Sequence, residues 1–195
     1  MYKTWGEIKN ETLNLGFEKM KAYDKNKQSF IDAYNFAQTL IASTIGGIIK
    51  KTDIVCNKSD FPKVFDLAEI TDDFLSLSQT YVINKNTGER LDNITFTDNR
   101  FLTVPKEFAG VISVTYYATP TKITISSDEN TPCPLPYKWA NLVPYLMANR
   151  LFLDDDAGKA GYYWNLFEDM KNSILSQENT PIVTVNNDME SGWDF

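Results

Sequence analysis

The spacing of hydrophobic residues changes twice along the chain, and these changes limit the folds that the chain can adopt. Apolar residues recur at helical spacing in residues 4–45 and again in residues 142–174. From about residue 51 to residue 125, apolar and polar residues alternate and turn residues interrupt short runs. A period of 3.6 is typical of an amphipathic helix and a period of two is typical of a strand. The predicted order is therefore helix, helix, strands, helix, helix.

From this order we expect an α+β protein, in which a helical bundle of about four helices is interrupted by a small antiparallel β-sheet or sandwich. Four segments follow: N-terminal helices of the bundle in 1–50, a β insert in 51–125, C-terminal helices of the bundle in 126–177, and an extended C-terminal arm in 178–195. A chain of 195 residues can bury a core without help from disulfides or metal.

The N-terminal helices carry recognisable boundaries. Thr4 and Glu7 form a capping-box pattern at the start of the first helix, and Gly16 is predicted to end that helix. A second helix is predicted from the apolar spacing that begins at Phe30, and Gly46-Gly47 ends or loosens it.

The middle of the chain predicts short strands. They are expected at Ile54-Val55, Phe65–Leu67, Thr80–Ile83, Ile94–Phe96, Phe101–Val104, Gly110–Tyr117 and Ile123–Ile125. Turns are predicted at 84–88 and at 98–100, and the proline-containing residues 126–136 are predicted to be a linker.

The C-terminal helices are separated by Asp154-Asp155-Asp156. The first is very apolar and holds Pro144, which should kink it or mark its first regular turn. In the second, apolar residues at alternating spacings of three and four predict a packing seam, namely Ala160, Tyr163, Phe167, Met170 and Ile174. The acidic run fits helix capping better than a calcium loop, because the twelfth position from Asp154 is Asn165 and not a glutamate.

The chain has few of the residue types and motifs that enzymes use for catalysis. The chain has no histidine and no phosphate-binding glycine loop, so we predict no enzyme activity and no catalytic, cofactor-binding or metal-binding residues. Only the carboxylate pairs Asp72-Asp73 and Glu168-Asp169 keep a carboxylate-dependent hydrolase open as a minor alternative.

Charge and apolar content indicate which classes of partner the protein is expected to bind. The net charge is −7 and no basic cluster is visible, which argues against specific nucleic-acid binding. Cys56 and Cys133 are expected to be reduced thiols in a cytoplasmic environment. The apolar stretch 40–49 is too short and too polar to span a membrane, so no membrane partner is expected.

Aromatic residues on the C-terminal helices suggest an interface. Tyr162-Tyr163-Trp164 are consecutive and cannot all face one core on a helix. At the chain end, Trp193 and Phe195 belong either to a docking peptide or to an unordered tail. The candidate protein–protein interface residues are Tyr145, Arg150, Tyr162, Trp164, Trp193 and Phe195.

The C-terminal motifs resemble a known family. The residues are Pro134–Tyr137, Leu142–Phe152 with its Pro144-Tyr145, Asp154–Asp156, Ala160, Tyr163 and Phe167-Glu168. They look like the closing helical pair of tailed-phage head-to-tail connector proteins, also called head-completion or adaptor proteins. The strand Val111–Tyr117 with Ala118–Thr121 is similar to the end of the β insert in larger adaptors, including the tubular adaptors of short-tailed phages.

The resemblance implies a structural role in the virion. It implies a homo-oligomeric ring, dodecameric like the portal, which binds the portal protein on one side and the next neck or tail protein on the other. DNA would pass through the lumen without specific binding, and the protein would be made in the host cytoplasm and end at the head–tail junction. A tail-completion or baseplate protein is the alternative within the virion.

Overall fold

A computed structural model of the chain describes residues 2–17, 23–45, 47–79 and 81–178. These residues form six helices: α1 Trp5–Asn14, α2 Lys27–Ile45, α3 Leu67–Ile70, α4 Tyr137–Ala140, α5 Val143–Phe152 and α6 Ala157–Glu178. They also form eight strands: β1 Ile49–Cys56, β2 Lys63–Asp66, β3 Phe74–Leu77, β4 Val82–Asn84, β5 Arg90–Leu91, β6 Thr95–Thr97, β7 Phe101–Val104 and β8 Gly110–Ala118.

The strands make two antiparallel sheets. The five-stranded sheet has the order β1-β8-β4-β5, and β3 also pairs with β8. The three-stranded sheet has the order β2-β7-β6. The longest ladder joins β1 to β8 from the pair Ile49↔Tyr117 to the pair Cys56↔Gly110. β8 is therefore the central strand, and β1 lies at one end of its sheet.

The predicted four-helix bundle with an inserted sheet is wrong. The described residues form a mixed α+β fold with six helices and two antiparallel sheets, and α3 and α4 are single turns. Nor do the helices close a core among themselves. Tyr116 and Ala118 at the end of β8, and Ile48 before β1, lie in the same buried cluster as the helical residues. A helix can bury its apolar face on a sheet as well as on another helix, and periodicity does not distinguish the two.

The second buried cluster is built from the β region. It contains Ile54, Leu102 and Ile112 from β1, β7 and β8, together with Leu67 at the start of α3. Phe74 on β3 packs against both clusters, because its strand lies beside the end of β8. The two clusters are therefore continuous through strands that belong to one sheet.

The predicted start of the first helix is confirmed. The Glu7 backbone N–H donates to Thr4 Oγ1 over 3.2 Å, and the Thr4 N–H donates to Glu7 Oε2 over 2.7 Å. The helix ends at Asn14, and Gly16 has a φ of +115°, a conformation that side chains disfavour. The cap and the glycine thus set both ends of α1 locally.

The strand predictions are confirmed in part. Those at 54–55, 65–67, 80–83, 94–96, 101–104 and 110–117 overlap β1, β2, β4, β6, β7 and β8, whereas β3 and β5 were not predicted. The turn at 98–100 is confirmed, with positive φ at Asp98 and Asn99. The strand predicted at 123–125 is wrong, because these residues lie in no strand of the described chain.

Side chains of α2 replace the missing strand partner. Asn35 Nδ2 donates to the Ile123 carbonyl over 2.9 Å, and the Ile123 N–H donates to Asn35 Oδ1 over 2.9 Å. Gln38 Nε2 donates to the Thr121 carbonyl over 3.0 Å. Amide side chains offer both a donor and an acceptor, so they can satisfy an extended backbone that has no neighbouring strand.

Residues 126–136 are tied to α1 and are not a free linker. The Trp5 N–H donates to the Thr131 carbonyl over 2.8 Å, and the Cys133 N–H donates to the Lys3 carbonyl over 2.7 Å. Lys9, which is almost wholly buried, forms an ion pair with Glu129. These contacts fix the path by which the chain returns from the sheet to the C-terminal helices.

Candidate protein–protein interface

The α5–α6 pair positions the predicted interface residues of the helical region. α6 is held by one seam. Phe167 is buried in the helical cluster, where Met170 and Ile174 pack against it, and Ala160 is buried in a small third cluster, against which Tyr163 packs. The predicted seam is therefore confirmed. Asn149 Nδ2 on α5 donates to the Ala160 carbonyl over 2.9 Å, which fixes the two helices against each other.

In the acidic turn before α6, Asp156 is the residue that caps the helix. The Lys159 backbone N–H donates to Asp156 Oδ1 over 3.0 Å, so the predicted helix capping is confirmed at this residue. The backbone hydrogen bond from Lys159 holds the pKa of Asp156 below its ordinary value. Asp154 and Asp155 are exposed beside it.

Two aromatic side chains of α6 remain exposed, one on each flank of the buried seam. Tyr162 is 59% exposed and Trp164 is 39% exposed. Their nearest aromatic neighbours lie on the same helix: the Tyr162 ring centroid is 5.3 Å from that of Tyr163, and the Trp164 centroid is 5.6 Å from that of Phe167. Because the seam fixes α6 on the body, it also fixes the positions from which both rings extend.

Tyr145 and Arg150 lie on α5 and differ in surroundings. Tyr145 is half-buried and packs against the helical core. Arg150 is exposed, and its Cζ lies 5.5 Å from the ring centroid of Phe36 on α2. The arginine also borders an open groove of about 470 Å³ that Asp154 and Asp155 line. Arg150 therefore faces the α2 side of the molecule. The other two predicted interface residues, Trp193 and Phe195, lie outside the described residues.

The sequence reasoning missed an exposed apolar pair on β1. Ile49 is 61% exposed and Val55 is 68% exposed, although both belong to a regular strand. The signal was present, because residues 49, 51, 53 and 55 alternate with the inward-facing Ile54 and Cys56. The alternation does not show which strand lies at the edge of a sheet, so it did not indicate that this surface is open to a partner.

An apolar groove opens next to the start of β1. Its volume is about 900 Å³, and its lining includes Ile48, Ile49, Ile123, Pro132 and Cys133. Burial raises the pKa of the Cys133 thiol, which makes this sulfur a poor nucleophile. The groove thus offers mainly apolar contact.

The carboxylates with shifted pKa values form ion pairs. Hydrogen bonds from Arg100 hold the pKa of Asp66 below its ordinary value. Partial burial acts to raise the pKa of Asp73, but hydrogen bonds from Lys50 and Tyr116 leave it lowered. A general acid needs the opposite shift. Of the other predicted pair, Glu168 accepts a hydrogen bond from Lys171 Nζ over 2.7 Å.

Among the described residues, no group of three or more histidine, cysteine, aspartate or glutamate side chains is placed to hold a metal ion. Within the same part of the chain, no helix is both long and apolar enough to cross a membrane.

Comparison of the chain with known protein families and with curated proteins finds no match.

Proposed function

We propose that this chain is a structural protein of a tailed-phage neck, a head-to-tail connector whose copies form a ring between the portal and the tail. The observation that carries the proposal is the pair of exposed aromatic side chains on the two flanks of α6. Tyr162 and Trp164 stay exposed on opposite sides of the buried seam. Aromatic side chains are enriched at protein–protein interfaces and provide much of their binding free energy.

The resemblance of residues 134–168 to connector proteins supports the same part of the molecule. Pro144 lies in the first turn of α5, Asp156 caps α6, and Phe167 anchors α6 to the body. In a closed ring, each copy presents one surface to the next copy and a different surface in return. We place the two exposed flanks of α6, which carry Tyr162 and Trp164, in this contact and in the contact with the portal.

Charge fits a protein that surrounds DNA without gripping it. The chain has a net charge of −7, and phosphate contacts would require grouped Lys and Arg residues. The lowered pKa values of Asp66 and Asp73 suit structural ion pairs. The proposal assigns the protein no catalytic role and no cofactor. The ring would be made in the host cytoplasm and become part of the virion.

The test is binding to the portal ring encoded by the same genome. Purified protein is mixed with that ring, and the products are followed by particle mass and by negative-stain imaging. A second ring stacked on the portal with matching symmetry is the expected result. The double variant Tyr162→Ala/Trp164→Ala should weaken this binding about tenfold or more, because exposed aromatic anchors are removed.

Phe61→Ala is the matched control, since Phe61 is also an exposed aromatic residue but lies in the β region. This variant should bind the portal like the parent chain. Binding to tail-tube protein in place of the portal would instead indicate a tail-completion protein. Binding to neither, together with a hydrolase activity lost on neutralising Asp73 or Glu168, would refute the structural proposal.

A further inference from the structure

The edge strand β1 has an unpaired side. It pairs with β8 only and ends the order of the five-stranded sheet. The Ala118 N–H donates to the Ile48 carbonyl over 2.9 Å, and the register pairs even-numbered residues of β1 with even-numbered residues of β8. Backbone groups alternate in direction along an antiparallel strand. The N–H and C=O groups of residues 49, 51, 53 and 55 therefore point away from β8.

These outward backbone groups have no partner strand in the described part of the chain. Native proteins usually protect such edges, because an open strand templates pairing with another chain. β1 is eight residues long, and its exposed face carries Ile49 and Val55. The edge is thus long, regular and apolar at both ends.

The exposed face of β1 is complementary to itself. Lys51 and Asp53 stand on either side of Thr52, and Ile49 and Val55 stand three residues from it on either side. When two antiparallel copies meet with Thr52 on a two-fold axis, Lys51 lies opposite Asp53 and Ile49 lies opposite Val55. Each of these pairs occurs twice. Opposite charges and apolar pairs directly across two strands stabilise a sheet.

Charge selects this register over its neighbours. The next registers that keep the outward backbone groups paired differ by two residues, since the strand period is two. One neighbouring register sets Lys51 against Lys51 of the second copy, and the other sets Asp53 against Asp53. Like charges directly opposite each other are destabilising. Within the described residues Lys51 has no ion-pair partner, while Asp53 binds Lys85. A carboxylate can accept hydrogen bonds from two lysines at once.

We propose that two copies of this chain pair through the β1 edge, antiparallel and with Thr52 at the two-fold axis, to form one continuous sheet. The contact is isologous, because the same surface serves both copies. It does not rest on the proposed function. A two-fold pair closes on itself, so we assign it to the free protein.

Disulfide trapping tests the register. Facing Thr52 residues form a non-hydrogen-bonded pair, whose Cα atoms lie about 4.5 Å apart, within the range that a disulfide spans. Thr52→Cys should therefore give a covalent dimer on mild oxidation, seen on a non-reducing gel. Lys51→Cys and Asp53→Cys are matched controls that report the two neighbouring registers, and they should remain mostly uncrosslinked. The native Cys56 and Cys133 are buried and give little background.

Charge reversal tests the contact without a cross-link. Lys51→Glu should raise the dimer dissociation constant about tenfold or more, as should Asp53→Lys, and the double variant should restore it. Lys85→Ala controls for the loss of the Lys85 contact in Asp53→Lys, and it should dimerise normally. Circular dichroism checks that each variant is folded.

Three results would overturn the proposal. One is a parent chain that stays monomeric by sedimentation at its highest soluble concentration. Another is cross-linking at residue 51 or 53 in preference to residue 52. The third is a double charge reversal that fails to recover the dimer although both single variants lose it. All of these are measured without the portal, so they are separate from the test of the connector role.

Discussion

Asp73 connects three segments of the fold. Its carboxylate accepts a hydrogen bond from Tyr116 Oη over 2.8 Å and forms an ion pair with Lys50. Its carbonyl accepts from the Thr119 N–H over 2.7 Å. β1, β8 and the turn before β3 therefore meet at one side chain, beside the boundary of the two buried clusters.

The lowered pKa of Asp73 makes its contribution pH-dependent. In the folded protein this pKa lies below its ordinary value, so the ionised form favours folding. The contribution is complete above the unfolded pKa of about 3.9 and is lost as the pH falls through the folded value. Asp73→Asn should lower the free energy of unfolding by roughly 1 kcal/mol at neutral pH.

That difference should shrink at acidic pH, below about pH 4. Urea unfolding of both proteins across this range measures it. Asp72→Asn is the matched control, because Asp72 is an exposed neighbour, and it should change stability little at any pH. A constant difference between the parent chain and Asp73→Asn down to the acid limit would contradict the role given to the ionised carboxylate.

At the scale of elements, α6 depends on one seam. Its 22 residues extend well past the ten residues of α5, and its side chains attach to the body mainly through the seam around Phe167. An isolated helix has little stability of its own in water, so packing of the apolar face supplies most of it. Loss of a seam residue should therefore affect the whole helix.

Phe167→Ala should lower the free energy of unfolding by about 3–5 kcal/mol, because it removes a buried ring and leaves a cavity. Trp164→Ala, three residues away, removes a ring that is 39% exposed, so it should cost clearly less, about 1 kcal/mol. Urea unfolding followed by far-UV circular dichroism separates the two. If Trp164→Ala cost as much as Phe167→Ala, Trp164 would already be buried in the free protein, against its proposed role.

At the scale of the whole molecule, β1 and β8 join the two buried clusters. Ile54 and Ile112 belong to the β cluster, whereas Tyr116 and Ala118, further along β8, belong to the helical cluster. Both clusters include residues of β8, so loss of either one removes packing from the same strand. The two clusters should therefore unfold in one cooperative transition.

Tryptophan fluorescence can test this coupling, because Trp5 and Trp139 are buried in the helical cluster and the β region contains no tryptophan. Leu102→Ala, in the β cluster, should destabilise the fold by about 2–5 kcal/mol and shift the fluorescence midpoint by the same amount as the circular dichroism midpoint. Val64→Ala on the exposed side of neighbouring β2 is the control and should shift neither. A fluorescence midpoint that does not move with Leu102→Ala would show two independent units.

Much of the secondary structure could be predicted from the sequence, because local interactions determine it. The Thr4–Glu7 capping box and the Asp156 cap each satisfy backbone donors within three residues. The α6 seam follows from helical spacing alone, and the strand character of Val111–Tyr117 follows from its β-branched and aromatic residues. Each is decided by neighbours along the chain, so no knowledge of distant contacts was needed.

Tertiary structure alone decided what those elements pack against. The spacing of apolar residues predicted the helices but not that Tyr116 and Ala118 would complete their core, which made the expected bundle wrong. Residues 123–125 have strand-like composition, yet Asn35 pairs with Ile123 and leaves the segment outside both sheets. The exposed edge of β1 is a property of strand order. Partners distant in sequence meet only after the chain folds, and the free energy of those contacts is absent from any local pattern.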